Sequence, residues 1–177
     1  LYAQLDLGEI YAPLKGLRYR FNFGPDFRYY RNGTFRNEES ISSEGKNRAS
    51  LSNQSDFSWT LDNLIYYDKE IGKHSFGLTL LQSATGYHYE ESSMAAEGIP
   101  LESAKWNALS KENVSLLDEW NSGLIEKQLL SYMFRVNYDY NNKYLLTVSG
   151  RWDGASQLAE GNKWAFFPSA ALGWRLD

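Results

Sequence analysis

Three sets of residues in this chain have side chains able to do chemistry. Two histidines, His74 and His88, are the only imidazoles in 177 residues. They stand fourteen positions apart in one strand-like run, with no thiolate and no third imidazole at ligand spacing, so a structural metal site is not supported. Glu90 and Glu91 are adjacent carboxylates that could act as an acid and base pair or hold a calcium ion through oxygen ligands, although adjacent acids in a polar stretch are usually just solvated. Arg151 and Asp153, in "SGRWDGASQ", are two positions apart at the end of an apolar alternating run. They read as a reactive pair, as an adhesion signal, or as the end of a strand. No Gly-x-Ser-x-Gly elbow or phosphate loop accompanies any of them.

Composition narrows the classes. Without cysteine there is no thiol nucleophile, disulfide or cysteine-ligated metal. The net charge is −4 and the 18 basic residues are scattered, so the chain lacks the basic stripe of a nucleic-acid binder. No run of about 18 apolar residues is present, which excludes a membrane-spanning helix but not a spanning barrel, whose strands alternate. Aromatic residues make up 16% of the chain within a polar average, unlike a disordered segment. No basic-then-apolar leader opens the chain, and Asp177 follows a strand-like run directly, so it reads as a segment of something longer.

The elements that must position these residues are strands. In "GLRYRFNFG", Leu17, Tyr19, Phe21 and Phe23 share one face and Arg18, Arg20 and Asn22 the other. In "QLLSYMFRVNYDY" one face carries Tyr132, Phe134, Val136, Tyr138 and Tyr140, the other Ser131, Met133, Arg135, Asn137 and Asp139. The same sorting separates Tyr144, Leu146, Val148 and Trp152 from Thr147, Ser149, Arg151 and Asp153. It recurs with Phe166, Ala170, Leu172 and Trp174 against Phe167, Ser169 and Arg175. About seven strands are expected, near 2–11, 16–31, 55–67, 73–89, 124–140, 143–154 and 163–176. Tight connections at 12–15, 68–72 and 141–142 alternate with longer polar ones at 32–54, 90–122 and 155–162. That sorting of short and long loops suits an outer-membrane barrel and has no rationale in a soluble sandwich.

Aromatic spacing points the same way. Tyr132 and Tyr140, Tyr144 and Trp152, and Phe166 and Trp174 are each eight positions apart on the apolar faces. At about 3.3 Å per residue and the usual tilt, eight positions climb roughly 20 Å, close to the ~25 Å apolar band between aromatic girdles. Tyr132, Tyr138, Tyr140, Tyr144, Trp152, Phe166 and Trp174 are therefore candidate interface aromatics. Arg18, Arg20, Asp62, Arg135, Asp139, Arg151, Asp153 and Arg175 are candidates for a wet inner wall, facing a lumen or a plug, with a solvated wall of ion pairs as the plainer reading. The stretch 90–122 is expected to include a short helix around Leu101 to Leu109. Trp106 and Trp120, with Tyr87 and Tyr89, are candidate stacking surfaces for substrate or a lid protein, or loop packing. The triplets at Asn32, Asn53 and Asn113 fit the N-glycosylation pattern but carry no weight in a stretch so rich in Asn and Ser.

Residues 138–177, "YDYNNKYLLTVSGRWDGASQLAEGNKWAFFPSAALGWRLD", resemble the barrel signature of the SusC/RagA family of TonB-dependent outer-membrane transporters. That signature runs Y-x-Y-x-x-K-Y-L-L-x-x-S-x-R-x-D-G-S-S, then W-x-x-F-P-S-x-x-x-G-W-R. "LLSYMFRVNY" and "LIYYDKEIGKHSFGLTLLQ" resemble the preceding strands. Ala155 replaces a common serine and Leu158 a frequent aromatic. The resemblance implies an all-β, antiparallel transmembrane barrel segment of about seven strands, with residues 1–177 lying within a larger plugged barrel. It implies energy-coupled import of an oligosaccharide or peptide across a Bacteroidetes outer membrane, without enzymatic chemistry or a cofactor. The partners it implies are a SusD-like surface lipoprotein, the TonB complex acting through a region not present here, and outer-membrane lipid. The rival readings are a soluble secreted β-sandwich that binds carbohydrate through its aromatics and an outer-membrane enzyme barrel, the latter disfavoured by the scarcity of histidine.

Overall fold

The structure is a computed structural model and describes residues 1–41, 44–99, 102–110 and 116–176. Its strands are β1 (Tyr2–Asp6), β2 (Leu17–Arg36), β3 (Arg48–Ile71), β4 (His74–Glu97), β5 (Leu116–Tyr140), β6 (Tyr144–Ala155) and β7 (Trp164–Trp174). They form one antiparallel sheet in sequence order, β1 to β7. The fold is all-β, as the period-two pattern requires. Strands β2 to β5 run 20 to 25 residues, several times the usual 5 or 6.

The strands differ in extent from the sequence expectation in an orderly way. β2, β3, β4 and β5 continue into the stretches 32–54 and 90–122 that were expected to be loops. Those extensions are rich in Ser, Asn, Gln and Glu with polar residues at both parities, so they pair through backbone without any apolar alternation to reveal them. The first strand ends at Asp6 rather than near 11. There the Asp6 carboxylate accepts from the Gly8 amide at 3.0 Å and opens a helical turn, α1 (Leu7–Ile10), which Pro13 prolongs as a 3-10 turn over Ala12–Leu14. The expected helix in 90–122 is a kinked 3-10 segment, Glu102–Ala108; Leu101 and the Asn113 triplet lie outside the described residues.

Residues group into two compact units, Leu1–Pro25 with Ser58–Gly86 and Lys127–Asp177, and Asp26–Phe57 with Tyr87–Glu126. The first holds β1, β6, β7 and the tight turns. The turn after β5 places Asn141 and Asn142 at φ 54° and 53°, the paired left-handed geometry that suits a short hairpin connection, and Asp139 caps it by accepting from the Asn142 amide at 2.7 Å. In the second unit, Asn47 ties two connections: its side-chain amide donates to the Ile99 carbonyl at 3.1 Å, and its side-chain oxygen accepts from the Glu38 amide at 2.8 Å.

Among the described residues the buried apolar side chains are Ala49, Ala96 and Ile99, whereas tyrosines, tryptophans and leucines along β5 to β7 are exposed. A sheet that leaves its large apolar residues outside has no core of its own on that face. Such a face needs an apolar surrounding.

Candidate functional site: a two-faced strand wall

In the first unit the printed register makes the two faces explicit. Tyr132, Trp152 and Phe166 are direct cross-strand partners, one from each of β5, β6 and β7. Tyr140, Tyr144 and Trp174 form a second such row eight positions away. Tyr140 and Tyr144 have ring centroids 6.5 Å apart, as do Tyr144 and Trp174. Trp152 lies 4.3 Å from Phe166, and Trp164 stacks near Tyr132 at 6.2 Å. Between the rows the partners are Val136, Val148 and Ala170, then Tyr138, Leu146 and Leu172.

His74 extends the second row onto β4. Its ring centroid is 4.9 Å from that of Tyr140, and its Nδ1 is 2.7 Å from the Tyr138 hydroxyl. The sequence offered His74 as a metal ligand or as the histidine of an enzyme barrel. Its position one residue into a strand after a tight turn was the signal for an aromatic-row role.

The opposite face is polar and partly self-satisfied. Arg151 Nε donates to Asp153 at 2.7 Å and Arg151 Nη2 donates to the Ser131 hydroxyl at 3.1 Å, so the arginine bridges its own strand and β5. Ser131 is fully buried beneath it. Ser83 donates to Asp62 at 2.6 Å. Arg18 pairs with Asp68 at 2.5 Å and lies over the Tyr66 ring, while Arg20 lies 4.9 Å over the Tyr2 ring and donates to Asn22. Asp139 is occupied with its turn, and Arg135 and Arg175 are exposed. The eight expected inner-wall residues thus do not converge on one point. They are spread along the wall.

The second unit holds the expected contact aromatics, which are also dispersed. Tyr87 donates to Asp56 at 2.8 Å and Tyr89 to Glu91 at 2.6 Å. Both lie more than about ten residues along β4 from its tight turn, past the length a strand needs to cross a bilayer. The hydrogen bond to a neighbouring carboxylate favours the neutral phenol, so the Tyr87 pKa is raised and that of Tyr89 is pushed up to about 12. Trp106 packs flat against Gly33, where any side chain would meet the indole, and Lys105 Nζ lies 5.8 Å over its ring. Trp120 is 76% exposed. No ring contact joins these four among the described residues.

His88 has both ring nitrogens engaged: Nδ1 is 3.0 Å from Glu126 and Nε2 is 3.0 Å from Glu90. The hydrogen bonds to Glu90 and then Glu126 raise its pKa. Glu90 and Glu91 do not act as a pair, since Glu91 accepts from Tyr89. Among the described residues no group of three His, Asp or Glu side chains is arranged to hold a metal.

No protein-family model matches the chain. Curated relatives do. The chain is 32% identical over 175 residues to TonB-dependent receptor P26 of Formosa agariphila, covering 94% of this chain and 17% of that receptor. It is 30% identical over 172 residues to TonB-dependent receptor SusC of Bacteroides thetaiotaomicron, covering 89% of this chain and 16% of that one. Among solved structures, that of the RagAB peptide transporter superposes with a TM-score of 0.81 at 20% identity, over 96% of this chain and 18% of the other. The RagAB peptide importer in its closed-closed state gives 0.81 at 21% identity, again over 96% of this chain. The chain spans about one sixth of the length of the curated relatives it matches.

Proposed function

We propose that this chain is a stretch of the outer-membrane barrel of a SusC-like TonB-dependent receptor, and that the receptor containing it imports a nutrient, an oligosaccharide or a peptide, across the outer membrane. The observation that supports this most directly is the pair of aromatic rows, Tyr132–Trp152–Phe166 and Tyr140–Tyr144–Trp174, eight positions apart on an otherwise apolar face. Rows at that spacing match the two interfaces of a bilayer, and the hydrophobic stretch between them matches its interior. The connections at the Tyr140 row are tight turns, as periplasmic connections are; the long strands and connections of the second unit belong to the cell surface.

In this reading the wall performs no covalent chemistry. The face carrying Arg151, Asp153, Asp62 and Arg18 lines the lumen or meets a plug, hydrated or paired across strands, and Arg135, Arg175, Arg20 and Asp139 complete it. Tyr87, Tyr89, Trp106 and Trp120 belong to the cell-surface part, where substrate and a SusD-like surface lipoprotein would be met. Energy would reach the transporter from the TonB complex through a region outside this chain. The soluble sandwich is the weaker reading, because it would have to bury the aromatic rows that this sheet leaves exposed.

Deleting the full receptor in its host tests the proposal. Growth on, and uptake of, one oligosaccharide or peptide should be lost and should return with the intact gene. Uptake should stop when the proton gradient is collapsed. Uptake that continues without the gradient, or a receptor recovered in the soluble fraction, would overturn the proposal.

A further inference from the structure

The second unit contains a cavity of about 550 Å³ that none of the residues considered so far was assigned to use. It lies within the range of roughly 300 to 1,000 Å³ usual for small-molecule sites. Its lining includes Tyr29, Asn53, Gln54, Glu90, Ser92 and Ser122, so four strands contribute. Tyr29 donates to Asn53 at 3.2 Å, which fixes the phenol against the amide, and the Tyr29 ring is more than half exposed. Glu90 is held from its other side by His88.

We propose that this cavity binds a neutral saccharide unit. Amides and hydroxyls that both donate and accept, a carboxylate that only accepts, and an exposed aromatic ring are the groups that recognise a sugar's hydroxyls and its C–H face. No lysine, arginine or histidine lines the cavity, and the Glu90 carboxylate does, so a phosphate, a sulfate or a uronic acid would be repelled. An oligolysine would find one carboxylate but no use for the surrounding amides and hydroxyls.

Within this unit, Glu90 and Ser92 alternate along β4 with Tyr87 and Tyr89, so the cavity opens on the face opposite those two rings. Its sugar has two sources, a free oligosaccharide outside the cell or the headgroup of a membrane glycolipid. The inference does not depend on which nutrient the receptor imports.

The experiment uses the full receptor reconstituted in nanodiscs of phosphatidylethanolamine, with and without digalactosyl diacylglycerol. Calorimetry measures cellotriose binding, and native mass spectrometry counts retained glycolipid. Ser122→Trp fills the cavity and Asn53→Ala removes the amide that Tyr29 touches; heat-modifiable gel migration confirms that each variant folds, and Asn53→Ala carries the test if Ser122→Trp does not. Cellotriose binding that weakens at least tenfold in the variants supports the site with a free-sugar source. Glycolipid retention lost in the variants supports it with a lipid source. Neither probe binding the native receptor more strongly than the variants overturns it, as does tighter binding of trigalacturonic acid or trilysine than of cellotriose.

Discussion

Trp152 and Phe166 are direct cross-strand partners on β6 and β7, with ring centroids 4.3 Å apart and planes inclined by 27°. An aromatic pair in that offset arrangement contributes about 0.5 to 1.5 kcal/mol beyond the area it covers. A double-mutant cycle in the full receptor, Trp152→Leu and Phe166→Leu singly and together, should return a coupling energy of that size in urea unfolding from detergent. Strict additivity would mean that the rings are neighbours without being partners.

The two faces make opposite predictions for adjacent residues. Val148 lies midway between the aromatic rows, paired with Val136 and Ala170, whereas Thr147 is on the polar face beside Asn137, to which its hydroxyl donates at 3.0 Å. Val148→Arg places a charge at the middle of the apolar band and should cost about 2 to 4 kcal/mol of folding free energy in lipid. Thr147→Arg, on the wet side, should cost about 1 kcal/mol or less. Equal costs would contradict the face assignment.

Gly150 is, with Gly154, one of two points on β6 where the face has no side chain of its own. A Cβ there would lie 2.6 Å from the Phe134 ring and 2.8 Å from that of Phe166, so both rings close over the glycine. Gly150→Val should force those rings off their rotamers and cost about 1 to 3 kcal/mol. The unfolding midpoint in detergent should fall, and pairing it with Phe134→Ala should recover part of the loss. A midpoint unchanged by Gly150→Val would show that the rings do not close over this position.

His88 is flanked by Glu90 and Glu126, and only the imidazolium can donate from both nitrogens at once. Its pKa is raised in the folded receptor, so the contribution of this contact is complete below the unfolded value of about 6.5 and is lost as pH rises through the folded pKa. An NMR titration of His88 should give a value above 6.5, and Glu126→Gln should lower it. A value at or below 6.5 would contradict the geometry.

How much of this was legible beforehand depended on whether a residue faced an apolar surrounding. Tyr132, Trp152 and Phe166 could be placed on one face because strands with one apolar and one polar face must alternate, and the structure pairs them directly. The alternation fails where both faces are wet. For that reason residues 32–36, 48–54 and 90–97 read as loop, although backbone pairing makes them strand, and the polar cavity beside Asn53 and Ser92 left no pattern to find. Glu91 was separated from Glu90 by its contact with Tyr89, and Trp106 was drawn onto Gly33; both depend on side-chain geometry that spacing does not encode. Asp62 and Asp139 had the expected inward parity, yet one serves a serine and the other a turn.

Arg151, braced by Asp153 on its own strand, ties β6 to β5 through Ser131. Ser131 is fully buried, and its hydroxyl accepts from Arg151 Nη2 while the Asp153 carboxylate accepts from Nε. Lysine cannot reproduce that fork, because its ammonium is a single point of charge without guanidinium geometry. Arg151→Lys should therefore lose the Ser131 contact and cost about 0.5 to 1.5 kcal/mol, a range kept low because the arginine is partly exposed. Ser131→Ala should cost a similar amount, and the two changes together should cost less than their sum. Unfolding of the single and double variants measures this. If Arg151→Lys abolished import while leaving the unfolding midpoint unchanged, the arginine would instead be a contact for plug or substrate, and its role as a strand tie would be refuted.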